Sequence, residues 1–248
     1  MNLPVRRAIF HRRSQSNIYR MFFWVVLILG GIWFVRQVQL GVVKPLFQPT
    51  PTPTRNSRSY ALEGEAQFTA GKLDAAIAAY QEAVRVNPLD ADSLAKLARI
   101  QTYSTALLVT DAEQRERLEQ ARASIARAVE LAPDDSTVHA IRAFVLDWSA
   151  NSALVGNDQA QDYLAEAEQE AVRALQLDNT NTLALAFYAE ILVDQQKWTQ
   201  GELNIRQALE RDPSLMDVHR VSASVQESLG NYTLAISPTN RPSRAPPI

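Results

Sequence analysis

Between residues 60 and 230 apolar and small side chains recur at three- and four-residue intervals, the stripe of a helix rather than the alternation of a strand. The stripe is cut four times by nearly the same string: AVRVNP (83–88), AVELAP (128–133), ALQLDN (174–179) and ALERDP (208–213). Each runs from a small residue to a breaker five places later, and the breaker is proline in three of the four. Proline donates no N–H and clashes with the preceding turn, so each string is predicted to end a helix. Ala, Leu, Glu, Gln and Arg dominate this region, which adds to the expectation of an all-α body.

Each breaker is also the end of a longer pattern. Back from Pro88, small or aromatic residues fall at Ala83, Tyr80, Ala76, Gly71, Gly64 and Tyr60. The same offsets behind Pro213 hold Ala208, Ile205, Gly201, Ala189 and Leu185; behind Asn179 they hold Ala174, Ala171 and Ala167; behind Pro133 they hold Ala128, Ile125 and Ala121. Asn179 and Pro213 are 34 residues apart. This arrangement resembles the tetratricopeptide repeat, in its membrane-anchored bacterial form, and the resemblance spans about residues 57–236. It implies a TPR-like alpha-alpha superhelix, a solenoid of helical hairpins with about four repeats and a partial fifth. In such a hairpin Gly64 and Ala76 let two helices approach, Gly71 serves the turn between them and Pro88 stops the second.

Two spacings depart from the family. Pro88 to Pro133 is 45 residues and Pro133 to Asn179 is 46, so the second and third units carry inserts at 102–120 and 148–166. TDAE (110–113) is a capping box that starts a helix, which makes the first insert a pair of extended helices around a displaced turn. The second, with Asn151, Gly156, Asn157 and Asp158, is expected to be a loop. In the fifth unit Val218, Val221, Val225 and Leu229 share a stripe and Gly230 marks a turn, after which ISPTNRPSRAPPI abandons helix. Residues 237–248 are expected to form a disordered tail. The chain is expected to be a truncated or frame-altered form of a longer repeat protein, unless the helix over 216–229 is itself a cap.

Residues 21–35, MFFWVVLILGGIWFV, break the amphipathic rule altogether, being apolar on every side behind a leader with five Arg. Continued through VQLGVV, a segment 21–43 is long enough to cross a bilayer. No A-x-A-like site follows, which favours an uncleaved transmembrane signal anchor over a cleaved signal peptide. The excess of Arg before the run places a 1–20 leader in the cytoplasm and the body outside. QPTPTPTRNSR, within a 44–58 linker, is expected to be a polyproline II spacer.

Charge is segregated in the same way. All 27 acidic residues lie between 60 and 236, while residues 1–59 hold nine Lys or Arg and no acid. A net-acidic body repels phosphate backbones, so no nucleic-acid partner is expected. There is no Cys to supply a disulfide, a thiolate ligand or a thiol nucleophile. His11, His139 and His219 are the only histidines; His11 lies in the leader, and the other two are expected to be buried or half-buried structural residues. No H-E-x-x-H, G-x-S-x-G, Walker or G-x-G-x-x-G motif occurs, so no enzyme, cofactor or metal is predicted.

The resemblance implies a protein-binding groove lined by each unit's first helix. It would receive Glu65 and Phe68, then Arg99 and Tyr103, then Phe144 and Trp148, then Glu190 and Asp194. Aromatic rings and Arg suit a peptide groove; Phe144 and Trp148 are equally suited to covering the insert after them. Ala61, Glu65, Lys96, Thr137 and Ile141 stand where some relatives carry a carboxylate clamp, so a terminal-carboxylate ligand is not expected. The reading is a membrane-tethered scaffold for a protein or peptide partner. The alternative is a portion of a larger membrane protein with a catalytic or further repeat domain beyond 236. Self-association into a homo-oligomer is a third expectation.

Overall fold

The computed structural model describes residues 17–40, 55–150 and 155–232. It divides into two compact units, Met1–Thr54 and Arg55–Ile248. Residues 41–43, the spacer through Thr54 and the segment from 233 onward lie outside the described residues.

In the first unit α1 (Ile18–Gln39) is a 22-residue helix whose Asn17 side chain accepts from the Tyr19 N–H at 3.3 Å. At about 1.5 Å per residue it is roughly 33 Å long. Its mean hydropathy reaches 2.0 and no residue of it is buried. Apolar side chains face every direction, so there is no stripe for a core to cover. It starts three residues before the expected Met21 because the leader's last turn, Ile18 to Arg20, continues the same helix behind the Asn17 cap.

The second unit is built of paired helices: α2 (Ser57–Thr69) and α3 (Leu73–Val86), α4 (Ala91–Ser104) and α5 (Asp111–Leu131), α6 (Ser136–Ala150) and α7 (Asn157–Leu177), α8 (Thr182–Asp194) and α9 (Trp198–Arg211), then α10 (Met216–Ser228). No strand occurs among the described residues. The recurring string is the seam between pairs. Ala83, Ala128, Ala174 and Ala208 are each fully buried. Their carbonyls accept the N–H of Asn87, Ala132, Asp178 and Asp212 at 2.9, 2.9, 2.9 and 3.0 Å. A small side chain there lets the next pair close in, and the breaker then turns the chain. Side chains cap the entry to the following helix: Asp90 onto the Ser93 N–H, Asp135 onto Val138 and Asn181 onto Ala184.

Three turns at the ends of first helices, α2, α8 and α10, share one geometry. The N–H groups of Lys72, Lys197 and Asn231 reach back to the carbonyls of Gln67, Leu192 and Gln226 at 2.9, 2.7 and 2.8 Å. This is the Schellman closure, which needs a left-handed residue at its centre. Gly71 (φ 74°), Gln196 (φ 63°) and Gly230 (φ 76°) occupy that place.

Both inserts lengthen second helices. Around 102–120 a short 3-10 turn at Thr105–Leu107 and the Thr110/Glu113 capping box lead into a 21-residue α5, as the TDAE string implies. The expected loop over 148–166 is corrected: α6 runs through Ala150 and α7 begins at Asn157, with Gly156 as its N-cap. Asn157 and Asp158 therefore open a helix, because Asn and Asp suit a first turn as well as a loop and the following AQDYLAEAEQE is rich in helix formers.

The first helices α4, α6, α8 and α10 pack against one another in series, and each second helix sits between its own first helix and the next. Alanine at Ala95, Ala98, Ala140, Ala143, Ala184, Ala186 and Ala189 leaves the first helices little side chain to hold them apart. They gather on the inside of the curve and the second helices splay outside.

His139 is buried, with Nε2 2.8 Å from the Pro133 carbonyl and Nδ1 2.5 Å from Glu170. His219 repeats the first contact with the Pro213 carbonyl at 2.6 Å, but it is exposed, because α10 has no later unit over it among the described residues. Since a carbonyl only accepts, Nε2 carries the proton in both rings.

Candidate functional site

The inner face of the first helices carries a run of rings. Phe68 stacks on Tyr103 at 6.1 Å between centroids, Tyr103 meets Phe144 at 5.0 Å, and Phe144 stacks on Phe187 at 4.5 Å. Trp148 stands edge-on to Tyr103 at 5.7 Å and tilts against Phe144 at 5.3 Å. Spacing along each helix sets this up: Tyr103 and Trp148 occupy equivalent places, fifteen residues after Pro88 and Pro133.

Arg220 of α10 enters the ring cluster. Its guanidinium lies 5.3, 5.3 and 5.5 Å over the rings of Tyr103, Phe144 and Trp148. It grips Glu190 with two hydrogen bonds of 2.5 Å and donates from Nε to the Tyr103 hydroxyl at 3.2 Å. Burial works against its charge, but the Glu190 carboxylate outweighs that and holds the guanidinium more firmly charged than usual. One turn earlier, Asp217 accepts the Tyr103 O–H at 2.5 Å and lies 3.7 Å from Arg99. Burial first, and the Asp217 charge second, push the Tyr103 hydroxyl well above its ordinary value, so it stays a donor.

The eight expected groove residues are distributed as follows. Glu65 is exposed and accepts from the Tyr80 hydroxyl at 2.9 Å. Phe68 is buried beneath the Arg99 guanidinium, 4.9 Å from its centroid. Arg99, Tyr103, Phe144, Trp148 and Glu190 come together around Arg220 and Asp217, with Phe144 fully buried and the Trp148 indole N–H 3.4 Å from Glu190. Asp194 is exposed at the end of α8.

Open space remains next to this cluster. A cavity of about 450 Å³ is lined by Trp148, Glu190, Asp194, Thr105, Gln114 and Ser224 among others. Behind it Asp147 is 1% exposed, and no N–H or hydroxyl reaches either of its carboxyl oxygens. Burial, followed by the charges of Glu190 and Asp194, raises the Asp147 carboxyl well above its ordinary value. Among the described residues no group of three His, Cys, Asp or Glu side chains is arranged to hold a metal ion.

Asp217, Arg220 and Phe187 are not anticipated by the spacing of the repeats. Seven residues after Pro88, Pro133 and Asn179 stand Ala95, Ala140 and Ala186, whereas seven after Pro213 stands Arg220. A charged residue at an offset otherwise held by alanine is the available signal.

Comparison with known proteins bears on the fold. Residues 62–102 match the family pattern described as tetratricopeptide repeat. The chain is similar to the crystal structure of TTC0263, a thermophilic TPR protein of Thermus thermophilus, with TM-score 0.60 and 17% identity over 72% of this chain and 86% of that one. Weaker likenesses join it to MamA (TM-score 0.41, 16% identity, 73% and 86% covered). YrrB, a TPR protein with an unusual peptide-binding site, gives TM-score 0.40 and 14% identity over 73% and 81%. No curated protein matches in sequence. Residues 62–102 thus match one tetratricopeptide repeat, and the hairpins after it continue the same fold, a TPR-like superhelix of helical pairs.

Proposed function

We propose that this chain is a membrane-tethered scaffold whose repeat unit holds a protein or peptide segment outside the membrane, and that it carries out no reaction of its own. The observation that supports this most is the cavity among the ends of the first helices: an open, polar-edged space on the inner face beside rigid rings. Rings fixed by packing and by Arg220 lose little entropy when a ligand lies against them, which is what a peptide-binding surface needs. The tether reading draws on α1, apolar on all sides and about as long as a hydrocarbon core is thick. It draws also on the Arg-rich leader, which favours a cytoplasmic N-terminus. The domain reading is a leader (1–20), an anchor (21–43), a spacer (44–58), the repeat unit (59–236) and a tail (237–248).

A test is an array of immobilised random peptides probed with the full chain in detergent micelles, beside a Phe68→Ala/Trp148→Ala variant of unchanged helicity. Recovery of peptides sharing a sequence feature, and their loss with the variant, supports the scaffold. Featureless binding, or equal binding by both proteins, overturns it.

A further inference from the structure

The guanidinium of Arg220 sits in a seat made by three other helices: Tyr103 of α4, Phe144 and Trp148 of α6, and Glu190 of α8. Its two terminal nitrogens donate to different oxygens of Glu190, each at 2.5 Å, and Nε donates to the Tyr103 hydroxyl at 3.2 Å. Asp217 takes the proton of that hydroxyl at 2.5 Å, which leaves the oxygen's lone pairs to the guanidinium. The three rings stand 5.3, 5.3 and 5.5 Å from its carbon. A carboxylate presenting both oxygens, a hydroxyl acceptor and aromatic faces together make a recognition site for a planar cation; an ammonium, a compact charge, cannot span them in this way. The seat lies on the inner face of the first helices, and what fills it comes from the chain itself. The offset that holds Arg220 carries buried alanine in three other units, Ala95, Ala140 and Ala186, so the helical repeat packs without an arginine there.

We propose that Arg220 occupies in cis a seat that takes an arginine side chain of a peptide partner, so that α10 is an autoinhibitory occupant of the inner face. The inference rests on the scaffold reading and adds to it the residue that the partner presents. Trp148 and Glu190 belong both to this seat and to the lining of the neighbouring cavity of about 450 Å³, so a peptide resting in the cavity lies next to the seat. Arg220 can leave without its helix. Its side chain is 27% exposed, against 9% for Glu190, while Val218, Val221 and Val225, all fully buried, hold α10 in place. Exchange of one guanidinium for another ends with Glu190 paired as before, so the buried carboxylate is satisfied in both states. A competitor on the same chain acts at an effective concentration on the order of millimolar. The partner's apparent affinity is therefore lowered by the fraction of time that the seat stands empty.

The test is isothermal titration of the full chain in detergent micelles with N-acetyl-Ala-Ala-Arg-Ala-Ala-amide. Controls are the same peptide with lysine and with citrulline, the neutral isostere of arginine. The native chain should bind the arginine peptide saturably, in the millimolar range, and at least tenfold tighter than either control. Arg220→Ala removes the competitor and should tighten that binding tenfold or more, a gain that a residue serving only to clasp the fold would not give. Adding Glu190→Gln should abolish the preference for arginine. Where Arg220→Ala does not keep native helicity, Arg220→Gln takes its place, and millimolar ethylguanidinium should restore the helicity or raise the Tm of either variant. A native chain with no preference for the arginine peptide overturns the proposal and leaves Arg220 a fixed clasp. Equal binding by the native chain and the Arg220 variants, survival of the preference in the double variant, or indifference of the Arg220 variants to ethylguanidinium also overturns it. If arrayed peptides bind the native chain without enrichment in arginine, the scaffold reading survives and this one does not; if no arrayed peptide binds, the scaffold reading itself has failed.

Discussion

At position 64 a β-carbon would sit 2.5 Å from Cδ2 and 2.6 Å from Cε2 of Tyr80, a fully buried ring pinned through its hydroxyl to Glu65. Neither the ring nor the α2 backbone has room to retreat, so the single methyl of Gly64→Ala acts as overpacking. A loss of about 1–3 kcal/mol is expected, read as a lower urea midpoint at unchanged slope. Position 196 predicts the opposite sign. Gln196 holds φ 63° at the centre of a Schellman turn whose counterparts are Gly71 and Gly230. An L side chain is strained in that region, and glycine relieves the strain while making the unfolded chain freer. Gln196→Gly should therefore stabilise by roughly 0.5–1 kcal/mol net, seen as a higher Tm. Residues of this kind are legible in part. The alanines five places before each breaker and the close approach at Gly64 follow from spacing alone, because a small side chain at a helix crossing leaves a periodic mark. Gln196 leaves none, since glutamine carries no hint of a positive φ.

At the scale of the element, α10 departs most from what the sequence suggests. Its pattern is that of the first half of an unfinished hairpin, with a valine stripe facing its neighbours; Val218, Val221 and Val225 are indeed fully buried. Its polar edge leaves no such pattern, because Arg220 and Asp217 find Tyr103 more than a hundred residues away, a distance that only the curvature of the solenoid closes. The second insert shows the converse: turn-forming residues hide a helix start whose propensity lies further along. Arg220→Ala would leave Glu190, 9% exposed at its side chain, without its partner. Arg220 keeps 27% of its side chain exposed, so the loss should fall short of a fully buried pair, at roughly 2–3 kcal/mol. Adding Glu190→Gln should recover much of it, and a double-mutant cycle by urea unfolding measures the coupling. Asp147 supplies the pH dependence. Its folded-state pKa is raised, first by burial and then by the Glu190 and Asp194 charges. The protonated carboxyl is thus favoured by folding: its contribution is full below the ordinary aspartate range and is lost as pH rises through the raised value. Asp147→Asn, neutral at every pH, should gain stability relative to the native chain between pH 5 and pH 9, followed by thermal unfolding across that range. An equal gap at all pH values would contradict the shift.

For the whole molecule, the tether reading makes the sign of the charge on either side of α1 the feature that decides which way the chain faces. Residues before the apolar run at Met21 include five Arg, the last of them, Arg20, in the first turn of α1, and none of the acidic side chains, all of which lie from 60 onward. Positive charge is retained on the cytoplasmic side of a short flanking segment, whereas acidic side chains contribute little to orientation, so the leader rather than the acidic body is the determinant. This yields an expectation independent of any ligand. In intact bacterial spheroplasts, external protease should remove the repeat unit of the native chain and leave an N-terminal tag protected. Replacing Arg6, Arg7, Arg12, Arg13 and Arg20 by Ala while adding three Lys between Lys44 and Arg58 should reverse the balance and protect a fraction of the repeat unit instead. A native chain whose repeat unit is released by alkaline carbonate without detergent is not held by α1 as a membrane span. One whose N-terminal tag is cleaved off during export carries α1 as a removable signal, and in that case the repeat unit works free of any tether.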